Sequence, residues 1–162
     1  MTAGNAPGLN DGAAFLLLMS SRRAAELGLQ PLATVLGYAQ MASAATKGTS
    51  TPAWSIRKVL EAQGIAVDTL DLIEINEAYA ATALVSTLVL ADGDPQRTRR
   101  LRERTNIHGG AVAIGHPLGA SGARIVMTLI GGLRERGGGM GAAAICGGFG
   151  QGDAVLLRVD AS

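Results

Sequence analysis

The chain carries 23 glycines in 162 residues against only 3% aromatic side chains, so backbone geometry rather than bulky packing must set much of its shape. Glycine accepts positive φ and lets another backbone or a ligand come close, at an entropic cost that argues against idle use. Most of the glycines are clustered: Gly109-Gly110, Gly115, Gly119, Gly122, Gly131-Gly132, Gly137 to Gly139, Gly141, and the stretch from Gly147 to Gly152. Close approach of main chain to a ligand or to another element is the expected use.

Between these clusters the apolar residues alternate between two spacings. Residues 13–19 form a continuous apolar run between Asp11-Gly12 and Ser20-Ser21, long enough for a strand covered on both faces. Residues 21–27 predict a short helix stopped by Gly28, and residues 31–41 predict a second strand. Thr51-Pro52 reads as an N-cap with proline at the first helical position, opening a helix that carries Ile56, Val59 and Leu60 as far as Gly64. Residues 72–75 form a short strand with Asn76-Glu77 at its carboxyl end, followed by a helix over 78–90. Residues 118–136 place Ile125, Val126, Leu129, Ile130 and Leu133 at helical spacing, with basic residues at the terminus that suits them. Strands over 140–146 and 154–159, joined by a glycine-rich turn at 147–152, bring the count to about five. Strands alternating with helices predict an α/β sheet covered on both faces, and 162 residues fit one domain with a core that needs neither disulfide nor metal.

Charge excludes several partners. The 14 basic and 13 acidic side chains leave a formal net charge of +1, so no global field draws the chain to nucleic acid or an anionic membrane. Residues 78–91, the longest apolar stretch, are interrupted by Thr82, Ser86 and Thr87 and fall short of the ~20 residues that span a bilayer. The start Met1-Thr2-Ala3-Gly4 lacks the basic-then-apolar pattern of a secretory signal, and one cysteine builds no disulfide framework, so the expected location is cytoplasmic. Arg97, Arg99, Arg100, Arg102 and Arg104 make one locally basic passage, read as a solvated face, with phosphate contact as the other reading. No phosphate loop, zinc-spaced Cys/His set or metalloprotease helix is present.

Chemistry is expected beyond the carboxyl ends of strands, where α/β sheets bind ligands. Asn76 and Cys146 both fall there. His116 lies in Gly115-His116-Pro117-Leu118-Gly119-Ala120-Ser121-Gly122, a loop that feeds a helix. Each has an ordinary structural reading: Asn76 as a helix cap, His116 as a satisfied structural group, Cys146 as a small core hydrophobe. Gly147-Gly148 weighs against the last of these, because missing side chains let a substrate reach the sulfur.

Four motifs together go further. Thr2-Ala3-Gly4-Asn5-Ala6 with Asn10-Asp11-Gly12-Ala13-Ala14, Asn76-Glu77-Ala78-Tyr79-Ala80, Gly109-Gly110-Ala111-Val112-Ala113-Ile114-Gly115-His116-Pro117, and Cys146-Gly147-Gly148 closely resemble the carboxyl-terminal half of thiolases, over essentially the whole of residues 1–162. The resemblance implies a three-layer α/β/α fold with a mixed sheet. It implies an acyltransferase that joins two acyl groups by Claisen condensation, or cuts a 3-ketoacyl thioester, with coenzyme A thioesters as substrate and no permanently bound cofactor or metal. On that pattern Cys146 is the general acid/base, a role that asks for a lowered thiol pKa. His116 donates to the thioester oxygen, helped by a water on Asn76, and the Gly148 N–H supplies half of a second oxyanion hole.

The chain departs from the pattern in ways that matter. Thiolases use two cysteines, and the acylated one belongs to an amino-terminal half with no counterpart here, as does much of the coenzyme A site. The expectation is a half-domain, truncated, excised or naturally split just before Thr2, and inactive alone. Its expected partners are an amino-terminal thiolase half or an intact thiolase, and it is expected to form a homo-oligomer with some uncovered apolar surface. Pro7 replaces a serine that contacts pantetheine in many relatives, Tyr79 a commoner phenylalanine, and His108, read as structural, a frequent asparagine. A non-catalytic remnant acting as an interaction module is the competing reading. A ketoacyl synthase fits less well, since those enzymes typically carry histidine at the place of Cys146.

Overall fold

The computed structural model describes residues 2–161; Met1, on which the expectation of a truncated start rests, lies outside them. In chain order the elements are α1 (Ser21–Glu26), β1 (Thr34–Ala42), α2 (Thr51–Gln63), β2 (Leu72–Ile75), α3 (Ala80–Leu90), α4 (Pro95–Arg102), α5 (Ala111–Ile114), α6 (Ser121–Glu135), β3 (Gly139–Cys146) and β4 (Gln151–Val159). The four strands form one mixed sheet in the order β1-β4-β3-β2. β4 runs antiparallel to both of its neighbours, and β3 runs parallel to β2.

Helices cover both faces, giving three layers. On one face Ile56, Val59 and Leu60 of α2 meet Ile73, Ile75, Ala142, Ala144 and Leu156. On the other, Ile125, Leu129 and Leu133 of α6 meet Leu72, Ala143 and Leu157. The alternation of β3 explains this economy: Ala142 and Ala144 point to α2 and Ala143 to α6, so small side chains let helices settle closely on both sides.

Two expectations need correction. Residues 13–19 form no strand, so the sheet has four strands instead of about five. The run joins no ladder among the described residues, with Phe15, Leu17 and Leu18 at 88%, 84% and 72% exposure; apolar content alone cannot make a strand where no edge receives it. Thr51 is not the N-cap of α2. Ser50 holds that position without a side-chain bond, while the Thr51 hydroxyl lies inside the helix, 2.8 Å from Gly48 O and 2.7 Å from Gln151 O. The basic passage, read as a solvated face, is largely helical and leaves Arg99, Arg100 and Arg102 exposed. Asp94 caps α4 by accepting from Arg97 N at 2.6 Å, with Pro95 in the first turn.

The arginines around that helix tie it to the domain. Arg97 pairs with Asp68 at 2.7 Å and Asp92 at 2.9 Å, and Arg104 donates to the carbonyls of Asp68 and Leu70 at 2.9 and 2.8 Å. Element boundaries otherwise move by a few residues: α3 begins at Ala80, α6 at Ser121, and β4 already at Gln151. Among the described residues no helix is long and apolar enough to cross a membrane, and no group of three or more His, Cys, Asp or Glu could hold a metal ion.

Candidate active site

Because β2 and β3 are parallel and paired from Leu72↔Gly141 to Ile75↔Ala144, their carboxyl ends finish together. Asn76 follows β2 and donates its backbone N–H to Ala144 O at 2.9 Å; Cys146 closes β3 two residues further on. The sheet register thus sets a carboxamide and a thiol at one edge. Asn76 is fully buried and is not a helix cap, since Tyr79 holds that position for α3.

The third group arrives on a loop. His116 is buried, with Nε2 at 3.2 Å from Asn76 Nδ2 and Nδ1 at 2.6 Å from Ser121 Oγ. Burial, and the positive charge of Arg124 beside it, hold the imidazole pKa below its usual 6.5 and so keep it neutral at physiological pH. The Asn76 Oδ1 is buried without a hydrogen-bond partner among the described residues. An orphaned buried acceptor costs free energy, so its persistence next to a histidine marks a place where a ligand or water is expected.

Two clamps fix that loop. His116 N donates to Gly8 O at 2.9 Å, and the Asn10 side chain packs against Gly115, whose φ of +95° and missing Cβ make room for it; an added Cβ would lie 2.2 Å from Asn10 Oδ1. From the other side, Glu77 accepts from Val112 N at 3.0 Å and from Asn106 Nδ2 at 3.3 Å. Asn106 in turn pairs with the main chain of Ile75, its Oδ1 accepting at 2.8 Å and its Nδ2 donating at 2.9 Å. The residue after Asn76 therefore anchors the start of the segment that ends at His116.

Cys146 is half-buried, and burial pushes its thiol pKa up, opposite to the lowering expected of it. Gly148 is exposed and opens a one-turn 3-10 segment, so its N–H is one of the donors that a helix start leaves unused. That turn is pinned by Gly150, where φ is +78° and an added Cβ would meet Ser43 O at 2.4 Å. The structure thus joins Asn76 and His116 through a direct contact and sets Cys146 and Gly148 along the same sheet edge. His108 lies apart, 3.6 Å from Glu135.

Ser121, Glu77, Asn106 and Asn10 carry no role in the sequence reading, although all but Asn106 fall within its quoted motifs. A serine opening a helix and an asparagine in a loop read as caps and turns. Only the fold shows what they hold.

Residues 29–159 match the family described as "Thiolase, C-terminal domain". The chain is 46% identical over 158 residues to acetyl-CoA acetyltransferase 1 of Arabidopsis thaliana, covering 98% of this chain and 36% of that protein. Among solved structures, the acetyl-CoA acetyltransferase of Bacillus anthracis superposes with a TM-score of 0.88 at 44% identity, over 98% of this chain and 38% of that one. The Acat5 thiolase of Ascaris suum, solved in complex with coenzyme A, gives a TM-score of 0.79 at 38% identity, over 98% and 39%. The chain therefore spans well under half the length of the proteins it matches. On this evidence it belongs to the thiolase family, as that family's carboxyl-terminal domain.

Proposed function

We propose that this chain is the carboxyl-terminal half of a thiolase-type acyltransferase acting on coenzyme A thioesters, and that it turns over only with an amino-terminal half that brings the acyl-accepting cysteine. The observation that carries this reading is the buried His116–Asn76 pair at 3.2 Å, beside the strand end that bears Cys146. Drawing a proton from the carbon next to a thioester builds negative charge on the thioester oxygen. Donors already fixed in a water-poor site stabilise that charge without reorganising. His116 Nε2 and a water on Asn76 serve the first oxyanion, and the Gly148 N–H serves a second.

Cys146 is the acid/base in this scheme. In acyl transfer to the other half's thiol, the departing coenzyme A thiolate takes a proton from the Cys146 S–H. The resulting thiolate then removes the proton from the second substrate's carbon. A thiol pushed up by burial begins in the protonated state that the first of these steps needs. The coenzyme A carried by the Ascaris relative supports the substrate class, and apolar surface left open at Phe15, Leu17, Leu18 and Tyr38 supports the need for a mate.

One observation favours a second reading. Among the described residues no cation lowers the Cys146 pKa, which suits a non-catalytic module that pairs with intact thiolases. Thiolysis of acetoacetyl-CoA by coenzyme A, run on the purified chain with and without an amino-terminal thiolase half, separates the two. Turnover by the mixture alone is expected. Association without turnover favours the module, and turnover by the chain alone overturns the missing-thiol argument.

A further inference from the structure

We infer that Ser121 is a positioning residue: its hydroxyl donates to His116 Nδ1 and so keeps the imidazole proton on Nε2, the nitrogen turned to Asn76. The inference deepens the acyltransferase reading of the same site and rests on it for its consequence, while the tautomer itself is a property of this chain.

Two hydrogen-bond chains fit these atoms. In the closed one, Nδ1–H donates to Ser121 Oγ, the hydroxyl donates to Pro117 O, and a bare Nε2 accepts from Asn76 Nδ2. Every polar atom of the ring is then used, and His116 has nothing to offer a substrate. In the open one, the hydroxyl donates to Nδ1, and Nε2–H stands beside the carboxamide as an available donor. Serine has one hydroxyl proton, so the two arrangements exclude each other.

The geometry favours the open chain. Ser121 Oγ lies 2.6 Å from Nδ1 but 3.0 Å from Pro117 O. The Pro117 oxygen already accepts the backbone N–H groups of Ala120 at 2.9 Å and Ser121 at 3.0 Å, which occupies both of its lone pairs. A third donor gains little there, whereas Nδ1 has no other partner among the described residues. With the proton on Nε2, that N–H and Asn76 Nδ2 are two donors 3.2 Å apart that cannot satisfy each other, so both await an acceptor. Turning the carboxamide sets its oxygen against Nε2–H, which also gives the unpartnered Oδ1 a bond.

Two-bond 1H–15N correlation spectra of the 15N-labelled chain, recorded above the His116 pKa, read the tautomer directly. The chain has 2 histidines, so a His108→Gln variant assigns them. A protonated Nε2 and a bare Nδ1 are expected at His116. Ser121→Ala should lower the ratio of Nε2–H to Nδ1–H about tenfold, the change that one net hydrogen bond makes, and Ser121→Thr should restore it. If the alanine variant does not fold, Ser121→Cys, a weak donor, carries the same expectation. A proton on Nδ1 in the wild-type chain overturns the inference, as does a ratio within about twofold of wild type in the alanine or cysteine variant. A correct tautomer in a chain that never turns over with a mate would leave the inference standing and sink the acyltransferase reading, so the two fail separately.

Discussion

Glu74 gives the site's surroundings a measurable pH signature. It stands on β2 between Ile73 and Ile75, with its side chain on the α6 face that also takes Leu72 and Asn76, and only 3% of it is exposed. Burial, partly opposed by Arg124 and reinforced by Glu77, pushes its carboxyl from 4.5 up to about 7. The folded chain therefore holds this proton more tightly than the unfolded one. The stabilisation is complete below pH 4.5, is lost as the pH rises toward about 7, and is absent above that. From 4.5 to about 7, at about 1.36 kcal/mol per pH unit, the loss comes to about 3 kcal/mol.

Glu74→Gln keeps the shape and hydrogen-bonding capacity of the protonated acid and cannot ionise. Urea denaturation of both chains from pH 4 to pH 8 should show equal stability at the acid end, with the glutamine variant ahead by about 3 kcal/mol at the alkaline end. His116 titrates in the opposite sense, since its folded pKa is lowered and its stabilisation is lost as the pH falls. That contribution is common to both chains and cancels in the difference. A difference that stays flat across the range, or a glutamine variant that is the weaker one at pH 8, would refute the account of Glu74 as a buried carboxyl.

Three further outcomes are expected. In the reconstituted enzyme His116→Ala should lower kcat at least ~10²-fold, the usual loss for one oxyanion donor; an intact rate of thiolysis would remove His116 from the mechanism. Gly115→Ala puts a side chain at φ +95° and 2.2 Å from Asn10 Oδ1, so it should destabilise the chain by about 1–3 kcal/mol in urea titrations, and wild-type stability would show that Asn10 does not clamp the loop. Cys146 should react with iodoacetamide more slowly when folded than in urea, with its rate half-maximal at a pH above 9.0, because thiolate is the reacting form and burial disfavours it; a midpoint below that value would contradict its burial.

Much of the architecture was legible because its signals are local. Pro52 opening α2, Gly64 ending it in the left-handed conformation, and the helical spacing of Ile125, Leu129 and Leu133 each act within a few residues. Residues 13–19 mislead because a strand is defined by its neighbour and not by its own composition. Phe15 to Leu18 are apolar enough for a buried strand, yet no described strand pairs with them. The α4 helix is hidden in the sequence for a related reason. Its arginines suggested a solvated surface, while the Asp94-Pro95 start signal and the aspartates that neutralise Arg97 lie outside the charge run.

For the site, residue type at a strand end was enough to single out Asn76, Cys146 and His116, but not to decide between their ordinary and chemical readings. The fold removes two of the ordinary ones: Asn76 caps no helix, and Cys146 is half-buried rather than packed in the core. For His116 the decision moves to a different residue. Its burial and its bonds to Asn76 and Ser121 are compatible with a satisfied structural histidine or with an oxyanion donor, and only the placing of one proton separates them. On the proposed tautomer the Pro117 carbonyl, already bonded to the N–H groups of Ala120 and Ser121, leaves the Ser121 hydroxyl to the imidazole. On that proposal the imidazole proton is placed by how Pro117 and Ala120 begin a helix.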